Sequence, residues 1–173
     1  MRLSENPVLS EEAIRQRVAE LGAQISAGSP AEGLVLVVVL KGALVFAADL
    51  MRHLGVSVEV EFIRARSYAG TESSGQVAVT TAPETPLAGR HVLVVEDILD
   101  TGRTTAAVLA RLREENPASL SLCVLLDKPS RRCHAVTPDY VGFTIEDRFV
   151  VGYGLDFDQR YRDLPAVHEI ERD

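Results

Sequence analysis

The sequence predicts an α/β fold, a mostly parallel central sheet flanked by helices, with a small irregular hood. Three observations carry that expectation. Leu34 to Leu40 is an unbroken run of Leu and Val, the pattern of a strand buried on both faces of a parallel sheet. Stretches with helical spacing alternate with such runs, the order expected of strand–helix–strand units. No repeat, low-complexity tract or linker interrupts the 173 residues. One domain over residues 1–173 is therefore expected, its hood formed by the N- and C-terminal segments.

Taken in order, Ser10 can cap a first helix, with Glu11 and Glu12 in its electropositive first turn. Ile14, Val18, Leu21 and Ile25 recur at helical spacing until Gly28 and Pro30 stop the pattern. The Leu34–Leu40 strand ends in Lys41-Gly42, and Ala43 to Leu54 reads as a helix with Phe46, Leu50 and Leu54 on one face. Val58, Val60 and Phe62 alternate with Ser57, Glu59 and Glu61, a strand with one wetter face. Residues 67 to 75 are small and polar and read as a mobile loop, with a strand from Gln76 to Thr80 behind it. Pro83, Pro86 and Gly89 mark a turn, and His91 to Val95 is a buried strand ending in Glu96-Asp97. A helix follows from Thr104 to Glu115, with Val108, Leu109 and Leu112 inward, closed by Asn116-Pro117. Leu120 to Leu126 is a further strand, and short strands are expected at Tyr140–Phe143 and Phe149–Val151.

Bulk properties narrow the function classes. The apolar fraction is 46% with no Trp, so the core is aliphatic. The net charge of -7 argues against a dedicated nucleic-acid binder, which needs a basic face. It leaves room for one small anionic ligand held by backbone N–H groups. Cys123 and Cys133 form neither a disulfide framework nor a metal knuckle, and the four histidines lack ligand spacing. The N-terminus lacks the apolar stretch of a signal peptide, and the longest apolar run is shorter than the about 20 residues a bilayer needs. A soluble protein of the reducing cytoplasm is expected.

The chemistry concentrates in Val92 to Thr105, where an apolar strand delivers Glu96 and Asp97 and runs on through Ile98-Leu99-Asp100-Thr101-Gly102-Arg103-Thr104-Thr105. In open α/β sheets ligands sit at the carboxyl ends of strands. Gly102 permits a tight turn, and free N–H groups opening the next helix, with the Thr hydroxyls, can cradle a phosphate. The spacing is that of neither a nucleoside triphosphatase loop nor a dinucleotide fingerprint. Carboxylates beside a phosphate repel it unless they bind hydroxyls or a cation, so this pair implies a sugar diol and a magnesium ion. A plain acidic strand end with a helix cap is the competing reading for such a pair alone.

This string resembles the phosphoribosyl pyrophosphate signature of the type I phosphoribosyltransferases. Leu126-Asp127-Lys128-Pro129-Ser130-Arg131-Arg132, with Val141-Gly142-Phe143 and Phe149 to Asp156, is similar to the hypoxanthine-guanine phosphoribosyltransferases among them. The resemblance implies that Glu96 and Asp97 hold ribose hydroxyls and that Asp100 is the general base removing the N7 proton of the purine. It gives the 5′-phosphate to the turn Asp100, Thr101, Gly102, Arg103 and Thr104. It gives pyrophosphate to Leu40, Lys41 and Gly42, with a cis peptide, and to Arg162. It assigns the purine 6-oxygen to Lys128, base stacking to Phe149 and the Watson–Crick edge to the Val150 backbone. Asp156 would hold Mg2+, with Glu96 and Asp97 beside it. A lysine donor prefers a carbonyl to an amino group, which favours 6-oxopurines over adenine. Ser67 and Tyr68 resemble the start of a closing loop, although Ala69 stands before Gly70 where many relatives have Gly directly. Arg131 and Arg132 read as a subunit contact or as solvated hood residues. A homodimer or homotetramer is implied.

Two other readings stay open on the sequence. One is a regulator that keeps the fold as a nucleotide sensor and binds RNA. The other is a related enzyme for xanthine, adenine or orotate.

Overall fold

A computed structural model describes residues 2–67 and 77–171, the side chains of 66 and 67 excepted. Tyr68 and most of the loop expected over 67 to 75 thus lie outside the described residues. The helix α1 (Glu11–Gly28) is capped by Ser10, whose Oγ accepts from the Ala13 N–H at 3.2 Å. Ile14, Val18, Leu21 and Ile25 form its buried stripe. Each such burial contributes about 1.5–3 kcal/mol.

Six strands form the main sheet, in the order β4 (Val77–Thr81), β3 (Val58–Ser67), β2 (Leu34–Val39), β5 (His91–Leu99), β6 (Ser119–Asp127) and β7 (Tyr140–Thr144). All neighbours are parallel except β3 and β4. The mostly parallel α/β class is as the sequence predicts. One face packs under α1 and α2 (Leu44–Leu50), the other under α3 (Arg103–Arg113). β1 (Arg2–Leu3), β9 (His168–Glu171) and β8 (Val150–Val151) pair antiparallel in a second, small sheet that joins the two chain ends.

Three expectations need correction. The fourth strand does not stop at Val95: β5 keeps its pairing with β6 through Glu96↔Val124 and Leu99↔Asp127. The acids therefore sit inside the ladder, because the backbone pairing continues regardless of side-chain polarity. The second helix is α only to Leu50 and tightens into a 3-10 turn over Met51–His53. Such turns satisfy the last carbonyls where a helix must end, here before Gly55. Finally, in β3 it is Val60 and Phe62 that lie open, each about two-fifths exposed, while Glu59 pairs with Arg90 at 2.6 Å. Glu61 accepts from the Glu84 and Thr85 N–H groups at 3.0 and 3.1 Å. The short α2 leaves Val60 and Phe62 uncovered beside Leu44 and Met51, so both faces of β3 carry exposed residues rather than one.

Candidate active site

The chain leaves β2 to one side, towards β3, and leaves β5 to the other, towards β6. The order thus reverses between β2 and β5, and the crevice at their carboxyl ends is where ligands bind in open α/β sheets. A cleft of about 380 Å³ lies there, lined by the residues that follow β2, by the end of β5, by the start of α3 and by Asp156 and Arg162. It gathers Leu40, Lys41, Gly42, Glu96, Asp97, Asp100, Thr101, Gly102 and Thr104.

The acids differ because a pleated strand sends neighbours to opposite faces. Glu96 is buried on the α3 side, where it accepts a hydrogen bond from the Thr105 hydroxyl at 2.6 Å. Burial pushes its carboxyl up to about 8, opposed by the Thr105 hydroxyl, with Asp97 adding to the rise. Asp97, partly open to the cleft, faces the turn after β2 and is pushed up to about 6, chiefly by burial. The Ile98 N–H and Arg162 oppose that rise, while Asp156 adds to it. Burial thus favours the protonated form of Glu96 more strongly than that of Asp97.

The turn after β2 is fitted against Asp97. The Leu40–Lys41 peptide is cis. At Gly42 a Cβ would overlap the Asp97 carboxylate, so only glycine lets the turn approach this closely. The exposed Lys41 donates to Gln159 Oε1 at 3.0 Å. Across the cleft, Gly102 has φ 81 and caps α3 from the left-handed region. Thr101 and Thr104 are half-buried beside it, and Arg103 is exposed on the first helical turn without lining the cleft. The N–H groups of this first turn are the open end of a helix and carry its positive pole.

Asp156 and Arg162 arrive on an irregular segment after β8. Their side chains pair at 2.6 Å, and Arg162 also donates to the Gly154 carbonyl at 2.7 Å. Among the described residues no three His, Cys, Asp or Glu side chains form a metal cage. Magnesium rarely uses one: it takes one or two carboxylates and completes its shell with substrate oxygens and water. Asp97 and Asp156, near enough for one to shift the other, fit that donor set.

A second group stands beside the cleft rather than in it. Lys128 is buried, its N–H donates to the Leu99 carbonyl at 3.0 Å and its Nζ donates to the Arg148 carbonyl. Val150 is buried in β8, and Phe149 is 47% exposed with its ring edge-on to Phe157 at 5.6 Å. An aromatic next to valines would ordinarily be core, and this one presents a free face. Ser67 ends β3 by its backbone alone, and Tyr68 is not described.

Of the two arginines read as a subunit contact or as solvated hood residues, Arg131 is exposed and Arg132 is turned in against the site. Arg132 donates to the Asp100, Val136 and Leu99 carbonyls and to the Asp127 carboxylate, stapling the Asp100 turn to the strand end of β6. Arg131 Nε donates to Asp100 Oδ1 at 3.2 Å. The contacts to Leu99 and Asp100 span more than thirty positions, and no local spacing signals them. Thr105, the partner of Glu96, was likewise missed, although helical spacing turns it inward.

Comparison with known proteins agrees with this architecture. Residues 6–158 match the family model "Phosphoribosyl transferase domain". The hypoxanthine phosphoribosyltransferase of Haemophilus influenzae is 43% identical over 94% of this chain and 93% of its own. The hypoxanthine-guanine-xanthine phosphoribosyltransferase of Tritrichomonas foetus is 40% identical over 94% and 90%. A crystal structure of a Bacillus anthracis hypoxanthine-guanine phosphoribosyltransferase superposes with a TM-score of 0.93 at 40% identity, covering 98% of this chain and 100% of that one. This chain belongs to the phosphoribosyl transferase domain family, among its hypoxanthine-guanine phosphoribosyltransferases.

Proposed function

We propose that this enzyme serves purine salvage, transferring the 5-phosphoribosyl group from phosphoribosyl pyrophosphate to hypoxanthine or guanine and releasing pyrophosphate with IMP or GMP. The observation that carries the reading is the cleft at the β2/β5 reversal, which joins a helix-opening turn, buried and half-buried acids and a glycine-tight second turn.

In this reading the Thr101–Thr104 turn, with Arg103, binds the 5′-phosphate through main-chain N–H groups and the Thr hydroxyls. Glu96 and Asp97 take the ribose hydroxyls, protonated Glu96 able to donate as well as accept. Lys41, the Leu40–Gly42 backbone and Arg162 hold the pyrophosphate. Lys128 donates to the purine 6-oxygen, the Val150 backbone meets the Watson–Crick edge and Phe149 stacks on the ring. Asp100 accepts the N7 proton as N9 bonds to the anomeric carbon and the bond to pyrophosphate breaks. Its carboxylate also stabilises the positive charge that builds on the sugar. Bound magnesium, held by Asp97 and Asp156, would offset the charge of the leaving pyrophosphate. Ser67 and Tyr68 open a segment suited to covering the reacting centre against water.

Xanthine is a second base to test, because a relative of 40% identity is named for it. The RNA-binding alternative gains no support from a chain of net charge -7. The open apolar face of Leu44, Met51, Val60 and Phe62 supports a homo-oligomer. No described helix is long and apolar enough to cross a membrane, and the two free cysteines suit a reducing cytoplasm. The decisive experiment supplies hypoxanthine, guanine, xanthine or adenine to purified enzyme. Nucleotide and pyrophosphate should form from hypoxanthine and guanine only when both magnesium and phosphoribosyl pyrophosphate are present. Preference for adenine would contradict the role of Lys128.

A further inference from the structure

We infer that Arg131 is a positioning residue that holds the Asp100 carboxylate in its working orientation, and that Asp147 in turn holds Arg131. Arg131 lies in the 3-10 turn Pro129–Arg131 and donates its N–H to the Lys128 carbonyl at 3.1 Å. Its Nε donates to Asp100 Oδ1 at 3.2 Å, while its Nη1 donates to Asp147 Oδ2 at 3.4 Å. Asp147 Oδ1 is 4.0 Å from Lys128 Nζ. One turn of chain thus bears the lysine that would seat the base and the arginine that grips the acid which would deprotonate it.

The geometry assigns the two Asp100 oxygens different tasks. Oδ1 is taken by the guanidinium, and a carboxylate with one oxygen fixed keeps its other oxygen free to accept a proton. Asp100 is half-buried and stands just beyond the end of β5, where nothing in the ladder holds its side chain. At Asp100, Arg132 bonds the carbonyl and not the carboxylate, so it fixes the main chain and leaves the side chain to Arg131. The guanidinium fork suits this bridge, because two separate N–H groups reach two carboxylates at once. Pro129 limits the turn's freedom, which keeps the spacing between Lys128 and Arg131 constant.

The inference rests on Asp100 acting as the general base, and the test separates the two. The enzyme is assayed at saturating phosphoribosyl pyrophosphate and hypoxanthine as Asp100→Asn, Arg131→Gln, Arg131→Lys and the double variant Asp100→Asn with Arg131→Gln. Thermal unfolding of each controls for folding. Arg131→Gln should lose about tenfold in kcat with the KM of phosphoribosyl pyrophosphate within twofold, inside the about hundredfold that a misplacement near 1 Å can cost. Arg131→Lys should recover part of that loss. In the Asp100→Asn background Arg131→Gln should change nothing further. Full activity of Asp100→Asn would remove Asp100 from its base role and leave the inference without a target. A defect in Asp100→Asn alongside wild-type kcat in Arg131→Gln would overturn the inference alone. So would an equal further loss in the double variant.

Discussion

At the scale of single residues, burial does as much as residue type. Burial pushes the Glu96 carboxyl up to about 8 in the folded chain, against 4.5 for an ordinary glutamate. Between those values the unfolded chain has released a proton that the folded one keeps, so stability falls as pH rises through that window. The contribution is fully present below pH 4.5 and gone above about 8. Asp97 acts in the same direction over a narrower range, up to about 6. Thermal melts of the ligand-free, magnesium-free protein should therefore drop from pH 5 to pH 8, and Glu96→Gln should flatten that slope. A Glu96→Gln melt as steep as wild type would mean the carboxyl is not held protonated. Lys128 makes a different case, since a buried ammonium is retained only where it has acceptors. Lys128→Gln should raise the KM for hypoxanthine by about 10- to 100-fold, the worth of a charged hydrogen bond. Unchanged KM and unchanged selectivity against adenine would take Lys128 out of base recognition.

At the scale of elements, the site depends on how β5 ends and α3 begins. The chain must leave a buried strand, turn sharply and present free N–H groups within three residues of Leu99, and Gly102 at φ 81 makes that possible. A Cβ there would stand 3.0 Å from Arg132 Cδ and 3.2 Å from the His134 carbonyl oxygen. Gly102→Ala should cost about 1–2 kcal/mol of stability, seen as a lower midpoint in urea. It should also weaken phosphoribosyl pyrophosphate binding in calorimetry if, as proposed, the amides of this turn hold the 5′-phosphate. An unchanged midpoint would show that the turn relaxes into another conformation. The turn after β2 shows the same logic: Gly42 admits a close approach to Asp97 that no residue with a Cβ would allow.

At the scale of the whole molecule, the two sheets divide the work. The six-stranded sheet fixes the cleft by placing β2 and β5 side by side, while the small sheet of β1, β9 and β8 anchors the segment that bears Asp156 and Arg162. The surface of a lone chain still exposes Leu44, Met51, Val60 and Phe62 around an apolar groove. Phe62→Glu should shift the mass measured by light scattering from an oligomer to a single chain, with the cleft residues left in place. A mass unaffected by that charge would exclude this face as a subunit contact.

How much of this was legible in one dimension follows from sequence distance. The strands Leu34–Val39 and Leu122–Leu126, the cap at Ser10 and the string from Glu96 to Thr105 are local patterns, and local patterns report local structure. The sequence by itself determined the α/β class, the tight turn opening α3 and the acids before it, because neighbouring residues specify a strand end and a helix start directly. Only the tertiary structure decided that burial raises the Glu96 carboxyl, that Arg131 grips Asp100 and that Gly42 lies on Asp97. Those depend on burial and on contacts between segments tens of residues apart, and such contacts exist only once the sheet has brought the segments together.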